Sequence, residues 1–111
     1  MKIKKFNKFL TWILPEDTTG ITLAPFGIYL KESSFNDEST RNHEKIHWKQ
    51  QIEMLVLFFY IWYLIEWGIR IITQGFKQAY YHISFEQEAY SNEDDENFLK
   101  TRKHYFWIKY L

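Results

Sequence analysis

The residues with the clearest chemical potential in this chain are His43, Glu44 and His47, which form the pattern H-E-x-x-H. On a helix, residues four apart lie on one face about one turn from each other, so both imidazoles can reach the same metal ion. Glu44 directly follows the first histidine, where its carboxylate can take a proton from a water held by the metal. The pattern therefore predicts a metal site that performs hydrolysis.

Composition restricts the kind of site. The chain has no cysteine, so any metal must be held by histidine and carboxylate ligands rather than by thiolates. Its 14 lysines and arginines are balanced by 14 acidic residues, which argues against a nucleic-acid partner. With 111 residues, of which 46% are hydrophobic and 21% aromatic, we expect one ordered domain spanning residues 1–111.

Two histidines leave a zinc site short of one protein ligand, with a further position open for water. Glu53 follows His43 by ten residues and is a poor candidate, because a continuous helix places it about 15 Å farther along the axis. Glu86 lies on a separate downstream helix that can fold back against the first. Glu88 is the alternative, but it points to the opposite side of that second helix from Glu86.

His43-Glu44-x-x-His47 followed by a helical Glu-x-x-Ala, Glu86 to Ala89, resembles the gluzincin metallopeptidases, especially their single-domain miniature members. The resemblance covers roughly residues 38–52 and 84–91. It implies Zn²⁺ held by the two histidines and Glu86, with Glu44 as the catalytic base.

The same resemblance implies a mainly α, zincin-like helical domain with a short β-strand or hairpin before the H-E-x-x-H helix, and a peptide or protein substrate. Tyr90 stands where the family commonly has an aspartate that bonds a ligand histidine. The family also binds an extended peptide along an edge strand, to which Phe26 to Leu30 could be similar.

The elements before the motif are short. Residues 1–16 are basic and apolar, but the run Phe9 to Leu14 is too short for a signal peptide, so we expect an N-terminal arm or short helix. It can pack on the domain or lie on an anionic membrane surface. Pro25 predicts that the strand at Phe26 to Leu30 is an edge strand or part of a hairpin. Asp37 or Ser39 is expected to cap the motif helix.

A helical pattern then runs from Thr40 to about Thr73, with a kink or break expected near Glu53 or Gly68. Its segment Met54 to Ile65 contains twelve consecutive apolar or aromatic residues, too few to span a membrane. We expect a core helix that is buried on nearly all sides, with Glu66 and Arg70 paired at its exposed end. A helix dipping into the membrane interface is the alternative.

The last third of the chain predicts two more helices. Ser84 and Gln87 fit a capping box, and apolar residues repeat at helical spacing from Phe98 to about Tyr110. The acidic segment Asn92 to Asn97 is interpreted as a solvated turn. The residue that stabilises the oxyanion is left open among candidates on the downstream helices: His82, His104, Tyr80, Tyr81 and Tyr105. Both of these histidines are expected at the surface.

The sequence thus predicts a zinc-dependent metallopeptidase that hydrolyses peptide bonds. One alternative is a zinc-stabilised structural or binding domain without turnover, since 111 residues leave little material for a deep cleft. Another is a metal-free, membrane-apposed helical protein. A cytoplasmic location is expected, with peripheral membrane contact left open, and the oligomeric state is not predicted.

Overall fold

The expected fold, mainly helical with a β-hairpin before the H-E-x-x-H helix, is confirmed by a computed structural model that describes residues 2–111. Met1, part of the predicted arm, lies outside the described residues. Two 3-10 turns span Glu32–Ser34 and Phe106–Tyr110. The other elements are β1 (Ile3–Lys5), α1 (Lys8–Ile13), β2 (Gly20–Leu23), β3 (Gly27–Leu30), α2 (Glu38–Glu53), α3 (Leu57–Gln74), α4 (Phe76–His82), α5 (Ser84–Asn92) and α6 (Phe98–Thr101).

The three strands form one sheet in the order β1-β3-β2. β2 and β3 pair antiparallel as a hairpin, and Pro25 lies in its turn, where the missing N–H leaves no ladder bond unmade. β1 pairs parallel with β3, with Ile3 opposite Ile28. Of the two alternatives for the strand at Phe26 to Leu30, the hairpin is confirmed and the edge strand is wrong, because a three-residue strand from the N-terminal arm covers the second side of β3. β1 and β2 are the two outer strands of the sheet.

The long helical pattern is broken at Met54–Val56, and α2 and α3 meet there at an angle of 112°. The break near Glu53 is confirmed, whereas α3 continues through Gly68. Asp37 caps α2, accepting a hydrogen bond from the Thr40 N–H at 3.1 Å. Gly75 ends α3 with φ of 85°, a left-handed conformation that glycine adopts without strain.

The prediction that this helix is buried on nearly all sides is wrong, because one whole side of α3 is exposed, although Glu66 and Arg70 do pair, at 3.7 Å. Of its apolar residues Phe59 is buried, with 3% exposed, whereas Phe58 is 59% exposed. Glu66 is buried instead of exposed, and its carboxylate accepts hydrogen bonds from the N–H and the Oγ of Ser84, each at 2.6 Å. The capping box predicted at Ser84 is also wrong, because the Ser84 hydroxyl donates its hydrogen bond to Glu66 and not to the backbone at the start of α5. The polar side of α3, which carries Glu66 and Arg70, faces the domain, so its amphipathic pattern alone would place the wrong side outward.

Two apolar clusters hold the helices together. One joins α3 and α5 to the C-terminal turn through Phe59, Ile83, Phe85 and Trp107, and the other joins Ile46, Ala89 and Phe98. The helix predicted from Phe98 to Tyr110 is interrupted, since Arg102 turns inward to pair with Glu53 and Glu88.

No single helix in residues 2–111 has both the length and the apolar composition needed to cross a bilayer. The consecutive pair α2 and α3 meets those criteria only when taken together across its 112° bend.

The burial of α3 predicts very different costs for two neighbouring phenylalanines. We expect Phe59→Ala to lower the free energy of unfolding by about 3–5 kcal/mol, as for a large core truncation. Phe58→Ala should change it by no more than about 0.5 kcal/mol, because its ring is mostly exposed. Urea denaturation of both variants measures the difference, and equal costs would mean that α3 packs through another face.

Candidate metal centre and its cleft

Three potential metal ligands converge between α2 and α5. The Nε2 atoms of His43 and His47 lie 3.2 Å apart, as the one-turn spacing on α2 requires. Glu86 on α5 places Oε1 at 3.0 Å from His47 Nε2 and at 3.4 Å from His43 Nε2. All three side chains are buried, and together they could hold a metal ion.

These separations are compatible with a tetrahedral metal ion such as zinc. Tetrahedral zinc with bonds of about 2.0–2.1 Å holds its ligand atoms about 3.3–3.4 Å apart. The three donor atoms are 3.0–3.4 Å apart, so they need little movement to occupy three corners of such a tetrahedron. Two imidazoles and one carboxylate are also a donor set that zinc accepts in catalytic sites.

The second nitrogen of each histidine is held by an oxygen atom. His43 Nδ1 lies 2.9 Å from Oε1 of Glu93, and His47 Nδ1 lies 2.8 Å from Oε1 of Gln50. If each Nδ1 carries the proton and donates it, each Nε2 is left with a lone pair directed at the shared point. The usual partners of metal-binding histidines are therefore present around this pair.

Glu93 supplies the carboxylate partner of His43, which the gluzincin resemblance would place at Tyr90. The Tyr90 ring packs edge-on against the His43 ring, with centroids 4.5 Å apart, and Glu93 three residues later supplies the carboxylate. Sequence reasoning missed both Glu93 and Gln50. Glu93 belongs to the acidic segment interpreted as a solvated turn. The one sequence signal for it is that Glu93 follows Glu86 by seven residues, which is about two helical turns and places both on one side of a helix.

The ligand carboxylate and the neighbouring Glu44 are each fixed by a hydroxyl group. Tyr63 on α3 donates to Oε2 of Glu86 at 3.0 Å, and Thr22 on β2 donates to Oε1 of Glu44 at 2.8 Å. The other oxygen of Glu44 lies 4.0 Å from His43 Nε2. A side chain on Gly20 would stand 3.1 Å from Cγ of Glu44, so β2 approaches Glu44 this closely because residue 20 is glycine.

Burial and charge shift the pKa values of these groups in different directions. Burial raises the pKa of Glu44, against the opposing effect of the two histidines. Burial also opposes a charge on His47, but Glu86, helped by Glu44 and by hydrogen bonds, outweighs it and raises the pKa to about 9. For Glu86, burial is outweighed by His47 and His43, which lower the pKa. Two buried carboxylates beside two imidazoles form a site that favours a cation.

The other acidic candidates face away from this site. Glu88 is buried on the far side of α5, where its carboxylate binds Arg102 and accepts a hydrogen bond from Gln50. Glu53 also binds Arg102, at 2.8 Å, and accepts from the Tyr105 N–H. Of the carboxylates weighed as third ligand, Glu86 is therefore the one that the fold brings to His43 and His47.

The converging residues line an open cleft of about 830 Å³, so a chain of this size does build a cavity that a substrate could enter. Residues 20–23 of β2 form one wall, and tyrosines of α3 and α4 form the other: Tyr60, Tyr63, Tyr80 and Tyr81. Of the oxyanion candidates, His82, His104 and Tyr105 are exposed and do not line the cleft. The Tyr80 hydroxyl does line it and accepts a hydrogen bond from the Tyr90 hydroxyl at 3.3 Å. Tyr80 and Tyr81 remain as oxyanion candidates.

Removing the carboxylate that holds His43 should weaken metal binding without removing a ligand. We expect Glu93→Ala to lower zinc affinity by about 10–100-fold, the usual effect of losing such a partner. Competition with a chromophoric zinc chelator measures the change. Asp94→Ala is the matched control, because Asp94 is an exposed neighbour; equal affinities for the two variants would contradict a role for Glu93.

No protein-family model, curated protein or solved structure matches this chain.

Proposed function

We propose that this chain is a zinc-dependent metallopeptidase in which His43, His47 and Glu86 hold the ion and Glu44 is the general base. The observation that carries the proposal is the convergence of three buried donor atoms, 3.0–3.4 Å apart, in the lining of an open cleft beside a second carboxylate, that of Glu44. A zinc ion bound there would act as a Lewis acid, polarising a carbonyl group and lowering the pKa of water.

Glu44 is suited to moving a proton at this point. Thr22 fixes one of its oxygens, which leaves the other directed toward the histidine pair at 4.0 Å. Its raised pKa brings the carboxyl closer to the range in which a group can both take and return a proton near neutral pH. Glu44 would accept a proton from the attacking water and deliver it to the leaving amine.

The open edge of β2 supports an extended peptide as the substrate. The Thr19 carbonyl accepts from the Lys31 N–H across the hairpin, and peptide groups alternate in direction along an antiparallel strand. The peptide groups of Gly20 and Thr22 are therefore directed away from β3, toward the other edge. The Gln51 side chain donates a hydrogen bond to the Thr22 carbonyl. The peptide groups of Gly20, which lie beside Glu44, are therefore the ones that would pair with an added strand.

Metal analysis followed by a cleavage assay tests the proposal and separates it from its rivals. The purified full chain should contain one zinc per molecule and cleave unstructured peptides, with activity lost to a chelator and restored by zinc. Stoichiometric zinc with no cleavage across a diverse peptide library would indicate a zinc-stabilised structural domain instead. Failure to bind zinc at all would indicate the other alternative, a metal-free, membrane-apposed helical protein.

A further inference from the structure

The outer face of α3 is apolar along almost its whole length. Defined by its exposed side chains, it comprises Leu57, Phe58, Ile61, Trp62, Leu64, Ile65, Ile69 and Ile72. Positions three and four apart are neighbours on a helix, so these side chains form a continuous surface rather than scattered contacts. The acidic residue of α3, Glu66, points inward to Ser84. Proteins in water rarely leave a contiguous apolar surface of this kind uncovered.

The corner where α2 meets α3 extends this surface. Gln51 accepts a hydrogen bond from the Ala24 N–H, which ties the tip of the β2–β3 hairpin to the end of α2. Phe26 at that tip is 71% exposed, and Leu55 at the corner is 73% exposed. The chain therefore exposes two further large apolar side chains next to the beginning of α3.

Exposed positive charges accompany this corner. Lys49 lies one turn before the end of α2, and Lys103 lies in the loop that Glu53 holds through the Tyr105 N–H. Lys2 lies beside the hairpin tip, because its carbonyl accepts from the Ile28 N–H in the strand that follows the turn. All three lysines are exposed, while Glu53 is held by Arg102.

The exposed acids lie at the opposite end of α2. Asp37 and Glu38 begin that helix, and the Asn42 amide binds the backbone of residues 92–95 beside them. Glu16 lies at the end of the sheet away from the hairpin turn, where its backbone carbonyl accepts a hydrogen bond from Nζ of Lys31. In residues 2–111 the exposed carboxylates all belong to these regions: Glu16, Asp17, Glu32, Asp37, Glu38, Asp94, Asp95 and Glu96. From residue 49 to residue 92 the exposed charged side chains are cationic.

We propose that the outer face of α3, together with the α2–α3 corner, docks on the surface of an anionic lipid bilayer. Apolar side chains enter the boundary between headgroups and acyl chains, and the lysines around the corner contact acidic headgroups. The 18 residues of α3 measure about 27 Å and lie in the plane of the membrane, because the opposite side of the helix packs into the domain. A second copy of the chain fits less well, since a two-fold interface uses the same patch on both copies and this patch offers no exposed carboxylate to pair with its lysines.

Vesicle co-sedimentation of the full chain tests this surface. The parent protein should bind phosphatidylcholine vesicles that contain phosphatidylserine more strongly than vesicles of phosphatidylcholine alone, and added salt should weaken the difference. Ile61→Glu should lower binding at least about tenfold, because it removes a buried apolar side chain and places a negative charge in the interface. Lys103→Gln should lower binding to the anionic vesicles only, by about fivefold, because it removes one positive charge.

The matched controls lie at the acidic end of the molecule. Ile13 on α1 is 47% exposed and Ile61 is 46% exposed, so Ile13→Glu makes the same change at equal exposure and should leave binding intact. Circular dichroism shows whether each variant is folded. If Ile61→Glu does not fold, Ile65→Glu replaces it in the test. Absence of vesicle binding by the parent would overturn the proposal, as would loss of binding through Ile13→Glu alone. Self-association that Ile61→Glu abolishes, without vesicle binding, would show that a second copy covers the face.

Discussion

Replacing Glu44 with glutamine is expected to lower peptide hydrolysis by about 10²–10⁴-fold or more while one zinc ion remains bound per chain. Glutamine keeps the size of the side chain and an oxygen that can accept from Thr22, which lies 2.8 Å from Oε1 of Glu44. It removes the carboxylate that would take the proton. The three donor atoms of His43, His47 and Glu86 are untouched, so metal affinity and catalysis should separate in this variant.

Initial rates on one peptide substrate and zinc content by mass spectrometry measure the two effects. Glu38→Gln is the control, because Glu38 is an exposed glutamate at the start of the same helix. Undiminished hydrolysis by Glu44→Gln would remove Glu44 from the mechanism. Loss of zinc together with activity would make Glu44 part of the metal site instead.

The features that sequence predicted correctly depend on neighbours along the chain. Spacing alone places His43 and His47 on one face of α2, Asp37 can only cap the helix that follows it, and the helical pattern stops at about Thr73, one residue before the end of α3. The break after Glu53 was expected because one helix of that length is unusual in a small domain. Such features need no knowledge of distant parts of the molecule.

The features that sequence missed depend on contacts between distant residues. Glu93 reaches His43 across 50 positions, and Tyr63 reaches Glu86 across 23. The central position of β3 follows from pairing with β1, a strand of three residues that carries almost no pattern. Helix α3 carries Glu66 and Arg70 on the side that packs into the domain, so the hydrogen bonds of Glu66 with Ser84 decide its inward face against the usual amphipathic rule.

Removing any one of the three proposed ligands is expected to abolish stoichiometric zinc binding. We expect His43→Ala and Glu86→Ala each to lower zinc affinity by about three orders of magnitude, because two remaining protein ligands cannot hold the ion as three do. Zinc that binds only the folded protein raises its melting temperature, by an amount set by its concentration relative to Kd. Zinc should therefore stabilise the parent against heat and leave both variants nearly unchanged.

His82→Ala is the matched control, because His82 is an exposed histidine outside the cleft lining. It should keep both the zinc content and the zinc-dependent melting shift of the parent. The two ligand variants act on different helices, α2 and α5, so a shared loss cannot arise from damage to one of them alone. If both retained tightly bound zinc, the ion would be held elsewhere, and the convergence of His43, His47 and Glu86 would be a buried hydrogen-bond network.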